Sequence, residues 1–113
     1  MKKALIICIT LFLFGSAAKA DGMLMTGQGA TTCETYNSEV QTSTARAMNY
    51  LAWAHGYMSA INARNTQFNT SVDLSSSLDT RAQNQFLRGF CVGNPDKWFV
   101  FGVMELMDLL AKT

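Results

Sequence analysis

Few side chains in this chain are equipped for chemistry: three cysteines, one histidine and eight carboxylates. Cys91 lies in FCVGNPDKWFVFG, Phe90 to Gly102, just ahead of the only proline and of Trp98, Phe99 and Phe101. A cysteine there can act as a nucleophile if a neighbouring base or cation stabilises its thiolate. The only imidazole is His55, set between Ala54 and Gly56 in a stretch of helical periodicity, which suits a hydrogen-bonded structural or exposed histidine better than a base. A Ser–His–Asp triad would need the same His55, and no G-x-S-x-G elbow occurs. A tetrahedral metal site lacks ligands, because there is one histidine and no C-x-x-C. Glu105 and Asp108 share a helical face at i, i+3, a spacing that serves a carboxylate pair and, more commonly, the wet edge of a helix. Glycine-rich phosphate loops are absent. The residues point away from an enzyme, and no metal or organic cofactor is expected.

The N-terminus decides what the cysteines do. MKKALIICITLFLFGSAAKA combines Lys2 and Lys3, an apolar run from Ala4 to Gly15, and Ala18-Lys19-Ala20, the pattern of a secretory signal peptide. A run of this length is too short to cross a hydrocarbon core of about 30 Å as a helix. Cleavage after Ala20 is expected, giving an exported protein with no remaining membrane segment. Cys8 leaves with the signal peptide, and Cys33 and Cys91 remain. In an oxidising compartment such a pair reads as a disulfide. It closes a loop of 91 minus 33, or 58 residues, which in the chain-entropy view stabilises by roughly 4 kcal/mol.

Loss of Lys2, Lys3 and Lys19 leaves six of nine basic residues against eight acidic ones, a mature net charge of −2. With no basic patch, nucleic acid is not an expected partner. About 93 of the 113 residues then form a single domain with one modest core, 31–113, preceded by a Gly-rich segment, 21–30, expected to be flexible.

The elements that position these residues read as helices. Thr31-Thr32-Cys33-Glu34 fits a capping box and predicts a short helix carrying Cys33. From about Thr42 to Arg64, Ala47, Tyr50, Leu51, Ala54, Tyr57 or Met58, and Ile61 recur at helical spacing. A second strip, Trp53, Gly56, Tyr57 and Ala60, offers small residues for close approach of another element. Residues 65–77 are rich in Asn, Ser and Thr and predict a long loop. A helix from about Leu78 to Phe90 follows, with Ala82, Phe86, Leu87 and Phe90 inward, Gln83, Asn84 and Arg88 outward, and Gly93 as a left-handed stop. Asn94-Pro95-Asp96 predicts the start of the last helix. That helix is apolar nearly all round except for the edge Glu105, Asp108 and Lys112, so it belongs in a core or is shared with a second chain. With no strand signal, the expected fold is an all-α bundle of one short and three longer helices stapled by the disulfide. Trp53, Tyr57, Trp98, Phe99 and Phe101 are the candidates for a partner surface, although most of the aromatics are expected in the core.

Thr32-Cys33-Glu34-Thr35-Tyr36, followed later by Phe90-Cys91 and Asn94-Pro95, resembles the HdeA/HdeB-like periplasmic proteins. The resemblance implies a small periplasmic helical protein with Cys33 and Cys91 joined. It further implies a stress chaperone, a folded dimer near neutral pH that loosens in acid and binds unfolding clients. Two features differ from those chaperones: only 15% of residues are charged, and Trp53 to Asn62 has the form W-x-x-G-Y-x-S-x-x-N. The G-Y step is similar to Tai-type periplasmic immunity proteins, which implies instead a protein that binds and blocks a secreted toxin enzyme.

Overall fold

Thr32 and Ser43 set the first two helices. The computed structural model describes residues 24–74 and 78–113, so the expected signal peptide, 1–20, lies outside the described residues, as do 21–23 and 75–77. Helix α1 spans Cys33–Thr42, α2 Thr44–Asn65, α3 Thr80–Gly93 and α4 Phe99–Ala111; single 3₁₀ turns cover Gly27–Ala30 and Thr66–Phe68. The described residues form no strand, and the chain is the all-α, disulfide-linked bundle that its periodicity predicts.

The Thr32 hydroxyl accepts from the Thr35 N–H at 3.2 Å, so the cap of α1 sits one residue later than the expected box. Thr31 is unavailable because its carbonyl accepts the Phe99 N–H at 2.8 Å. At Ser43 the backbone is extended and the hydroxyl accepts from the Arg46 N–H at 3.2 Å. That break separates α1 from α2 by a single residue. Asp79 caps α3 through the Ala82 N–H at 2.8 Å.

The turn between α3 and α4 departs from expectation. Gly93 stays within α3 instead of ending it in a left-handed cap. Asn94 closes that helix, its amide donating to the Phe90 carbonyl at 2.8 Å, and does not begin α4. Pro95 and Lys97 turn their carbonyls to the free N–H groups at the start of α1: Glu34 N–H donates to Pro95 at 2.8 Å and Cys33 N–H to Lys97 at 2.7 Å. A stretch that satisfies local helix-start rules is held out of α4 because α1 needs its acceptors.

Burial concentrates on α4, where Phe99, Val100, Val103, Leu106, Met107 and Leu110 are all buried. Against them pack Tyr36 of α1, Leu87 of α3, and the α2 stripe Ala47, Tyr50, Leu51, Ala54 and Met58. Cys33 and Cys91 are bonded, with Cα atoms 4.7 Å apart and no exposure. Asn37 reinforces that junction by donating to the Cys91 carbonyl at 3.0 Å.

The close approaches fall elsewhere than on the small strip of α2. Gly56 and Ala60 are exposed, and a Cβ at Gly56 would meet nothing within 4 Å. At Gly102 a Cβ would stand 2.7 Å from the Phe90 ring, so this glycine lets α3 lie against α4. At Gly29 a Cβ would overlap the Trp53 indole, so part of the 21–30 segment is docked on α2 through Gly27–Ala30.

Candidate partner-binding surface

The five candidate aromatics divide. Phe99 is 0% exposed and stacks on Tyr36, with centroids 4.8 Å apart, while Tyr50 meets both rings edge-on. It belongs to the core and offers no surface to a partner. Trp53 is half-buried, stacked on Tyr57 at 5.4 Å, edge-on to Phe99 at 6.2 Å and covered by the Gly27–Ala30 turn. Trp98 is half-buried where its backbone pairs with Thr32. Phe101 alone of the five is exposed, at 41%.

Phe101 is not isolated. Met104, 40% exposed, follows it by three residues, and Glu105 and Asp108 continue the same outward face of α4. Two shallow grooves flank this ridge. One, of about 330 Å³, lies towards α3 between Phe90, Lys97, Phe101, Met104, Glu105 and Asp108. The Lys97 ammonium stands 5.8 Å from the centre of the Phe90 ring on that side. The other groove, of about 240 Å³, lies towards α2 and includes Tyr57, Ile61, Val72 and Met107. Met104 and Asp108 border both. Of the sequence candidates, Phe101 and Tyr57 therefore reach one apolar face with an acidic ridge. Met104 and Phe90, not singled out from sequence, complete it. Their signal was present: Glu105 and Asp108 mark the wet side of α4, and Phe101 and Met104 lie four residues before them.

The far end of the bundle is built from amides. Asn62 donates to the Val72 carbonyl at 2.7 Å and accepts the Val72 N–H at 2.9 Å, as a neighbouring strand would. Gln83, expected outside, is 2% exposed. It is drawn in because its Nε2 donates to the carbonyls of Leu74 and Leu78, both at 2.9 Å, on either side of residues 75–77. With both amide hydrogens so used, Oε1 is the acceptor facing His55 Nε2 at 2.8 Å. His55 must then carry its proton on Nε2 and donate, leaving no lone pair there for a metal or a substrate proton. In this arrangement His55 donates to Gln83, and Glu105 and Asp108 lie on the exposed ridge.

Two tyrosines carry shifted acidity. Burial is the main cause that raises Tyr36, partly offset by Arg88; burial and then the hydrogen bond to Glu39 raise Tyr50. Tyr50 donates to Glu39 at 2.5 Å, and Glu39 also pairs with Arg46 at 3.6 Å. The Tyr36 hydroxyl is buried without a partner.

Among the described residues no helix is long and apolar enough to cross a membrane. No family model, no curated protein and no solved structure matches this chain.

Proposed function

We propose that this is an exported protein-binding protein acting as a periplasmic stress chaperone of the HdeA-like kind. The observation that carries the reading is the outward face of α4, where Phe101 and Met104 stay in solvent between two grooves although a disulfide already closes the core. Exposed apolar side chains grouped this way favour contact with another polypeptide, and methionine adapts to varied shapes. Protonating all eight carboxylates would take the mature charge from −2 to +6, or +7 with His55, so acid both strains the bundle and discharges the ridge. The test is light scattering by an aggregating client at pH 2–3. The wild-type chain should suppress it at stoichiometric ratios, and Phe101→Ser should lose most of that effect. Undiminished aggregation in the presence of wild-type protein rejects the chaperone reading.

A second reading, an immunity or inhibitor protein blocking a secreted enzyme, is favoured by one feature. The grooves exist in the folded state, and their Glu105 and Asp108 rim suits a folded basic partner without any acid trigger. It requires nanomolar binding near pH 7 to the product of a neighbouring toxin gene, and no such binding rejects it.

A further inference from the structure

Helix α3 presents another exposed face, remote in character from the acidic ridge of α4. Arg81, Asn84, Gln85 and Arg88 follow one another at i, i+3, i+4 and i+7, and with Thr80 and Met48 of α2 they line a groove of about 510 Å³. The two arginines thus stand two helical turns apart, about 10 Å along the axis. Among the described residues neither makes an ion pair; the pair found there, Arg46 with Glu39, uses a different arginine. Among the described residues no carboxylate lines the groove, and Asp79 beside it is occupied in capping α3.

Between the arginines, Asn84 has a buried Oδ1 without a hydrogen-bond partner. A carboxylate cannot donate to that oxygen, so the two arginines carry the recognition of an acidic ligand. Arg88 also acts inward, partly offsetting the burial that raises the pKa of Tyr36. Met48, 47% exposed, adds an apolar floor on the opposite wall.

We propose that this groove binds an acidic polypeptide segment, two of whose carboxylates engage Arg81 and Arg88 while an apolar side chain rests on Met48. The guanidinium fork matches carboxylate geometry and forms paired, charge-assisted hydrogen bonds. The separation fits carboxylates seven residues apart on a helix or three apart on an extended strand. A small anion would reach one arginine only and leave Met48 uncovered. Nucleic acid is disfavoured by the net charge of the mature chain, which is −2 once residues 1–20 with three of nine basic residues are removed. The site stands independently of the α4 face.

The probe is a fluorescein-labelled helical peptide with two glutamates seven residues apart and leucines between them, titrated into the oxidised protein and read by anisotropy. Saturable binding that weakens as salt rises is expected. Arg81→Gln and Arg88→Gln should each weaken it about tenfold, and Asn84→Asp should do the same by placing a negative charge between them. Arg64→Gln, away from the groove, should leave binding unchanged, with circular dichroism of every variant matching the wild type. Equal binding of a glutamine version of the peptide overturns the proposal, as does indifference to the arginine changes. Displacement of the peptide by inorganic tripolyphosphate at equal concentration would also overturn it, by making the groove a small-anion site.

Discussion

The two ends of this bundle are held by different chemistry. At one end α1, α3 and α4 meet around Cys33–Cys91, with backbone bonds from Cys33, Glu34 and Phe99 and the Asn37 amide crossing the junction. At the other, the α2–α3 connection is tied down by the side chains of Asn62, Gln83 and His55. A covalent junction acts mainly by restricting the unfolded chain, so it stabilises the whole domain. Amide ties act where they are made and can open locally while the rest stays folded. The comparison assigns global stability to the first end and adjustable order to the second.

The largest effect should come from breaking the first end. Cys33→Ser with Cys91→Ser releases a closed loop of 58 residues and should cost about 4 kcal/mol, a large part of what a domain of this size holds. Urea unfolding followed by far-ultraviolet circular dichroism measures it. A change in midpoint worth under about 1 kcal/mol would place global stability in the packing of α4 instead.

Gln83→Glu tests the second end. The substitution keeps shape and retains an acceptor for His55, but it removes the donors to Leu74 and Leu78. Two partly buried carbonyls then face a carboxylate, at a cost of about 2 kcal/mol at neutral pH. That environment raises the folded-state pKa of the new carboxyl. Its stabilising protonated form is therefore fully present below the unfolded value and is lost as pH rises through the folded one. The variant should recover stability in acid. Hydrogen exchange should quicken around residues 70–74 and leave α1 and α4 protected. Uniform loss of protection would mean the ends are not separable.

Legibility followed the same division. The stripe on α2, the pairing of Cys33 with Cys91 and the all-α plan rest on local spacing and on cysteine count, so the chain displays them directly. Asn94-Pro95-Asp96 misleads because every local rule favours a helix start, while the deciding acceptors are demanded by α1, some sixty residues earlier in the chain. Gln83 misleads for a related reason. A glutamine on a polar heptad position is drawn inward by two loop carbonyls, and no periodicity records their positions. Of the candidate surface, Phe101 was named among five aromatics with nothing to single it out, and Trp53 is covered by a turn whose glycines predicted only flexibility.

The smallest effect probes a flaw in the stronger end. Tyr36 and Tyr50 touch the same Phe99 ring from α1 and α2, yet only Tyr50 has a partner for its hydroxyl. Tyr50→Phe removes the bond to Glu39 and should cost about 1.5 kcal/mol. Tyr36→Phe removes a buried hydroxyl that nothing answers and should leave stability unchanged or raise it by up to about 1 kcal/mol. Both tyrosines have folded-state values raised by burial. Their contribution is complete below the unfolded value of about 10 and is lost as pH rises through the folded values. Alkaline melting should accordingly begin above about pH 10 in the wild type and move upward in Tyr36→Phe, because one of the two groups that must ionise on unfolding is gone. Thermal melts from pH 8 to 11 separate the cases. A Tyr36→Phe variant clearly less stable than wild type at pH 8 would show that the hydroxyl has a partner, with Arg88, whose charge acts on it, the first to consider.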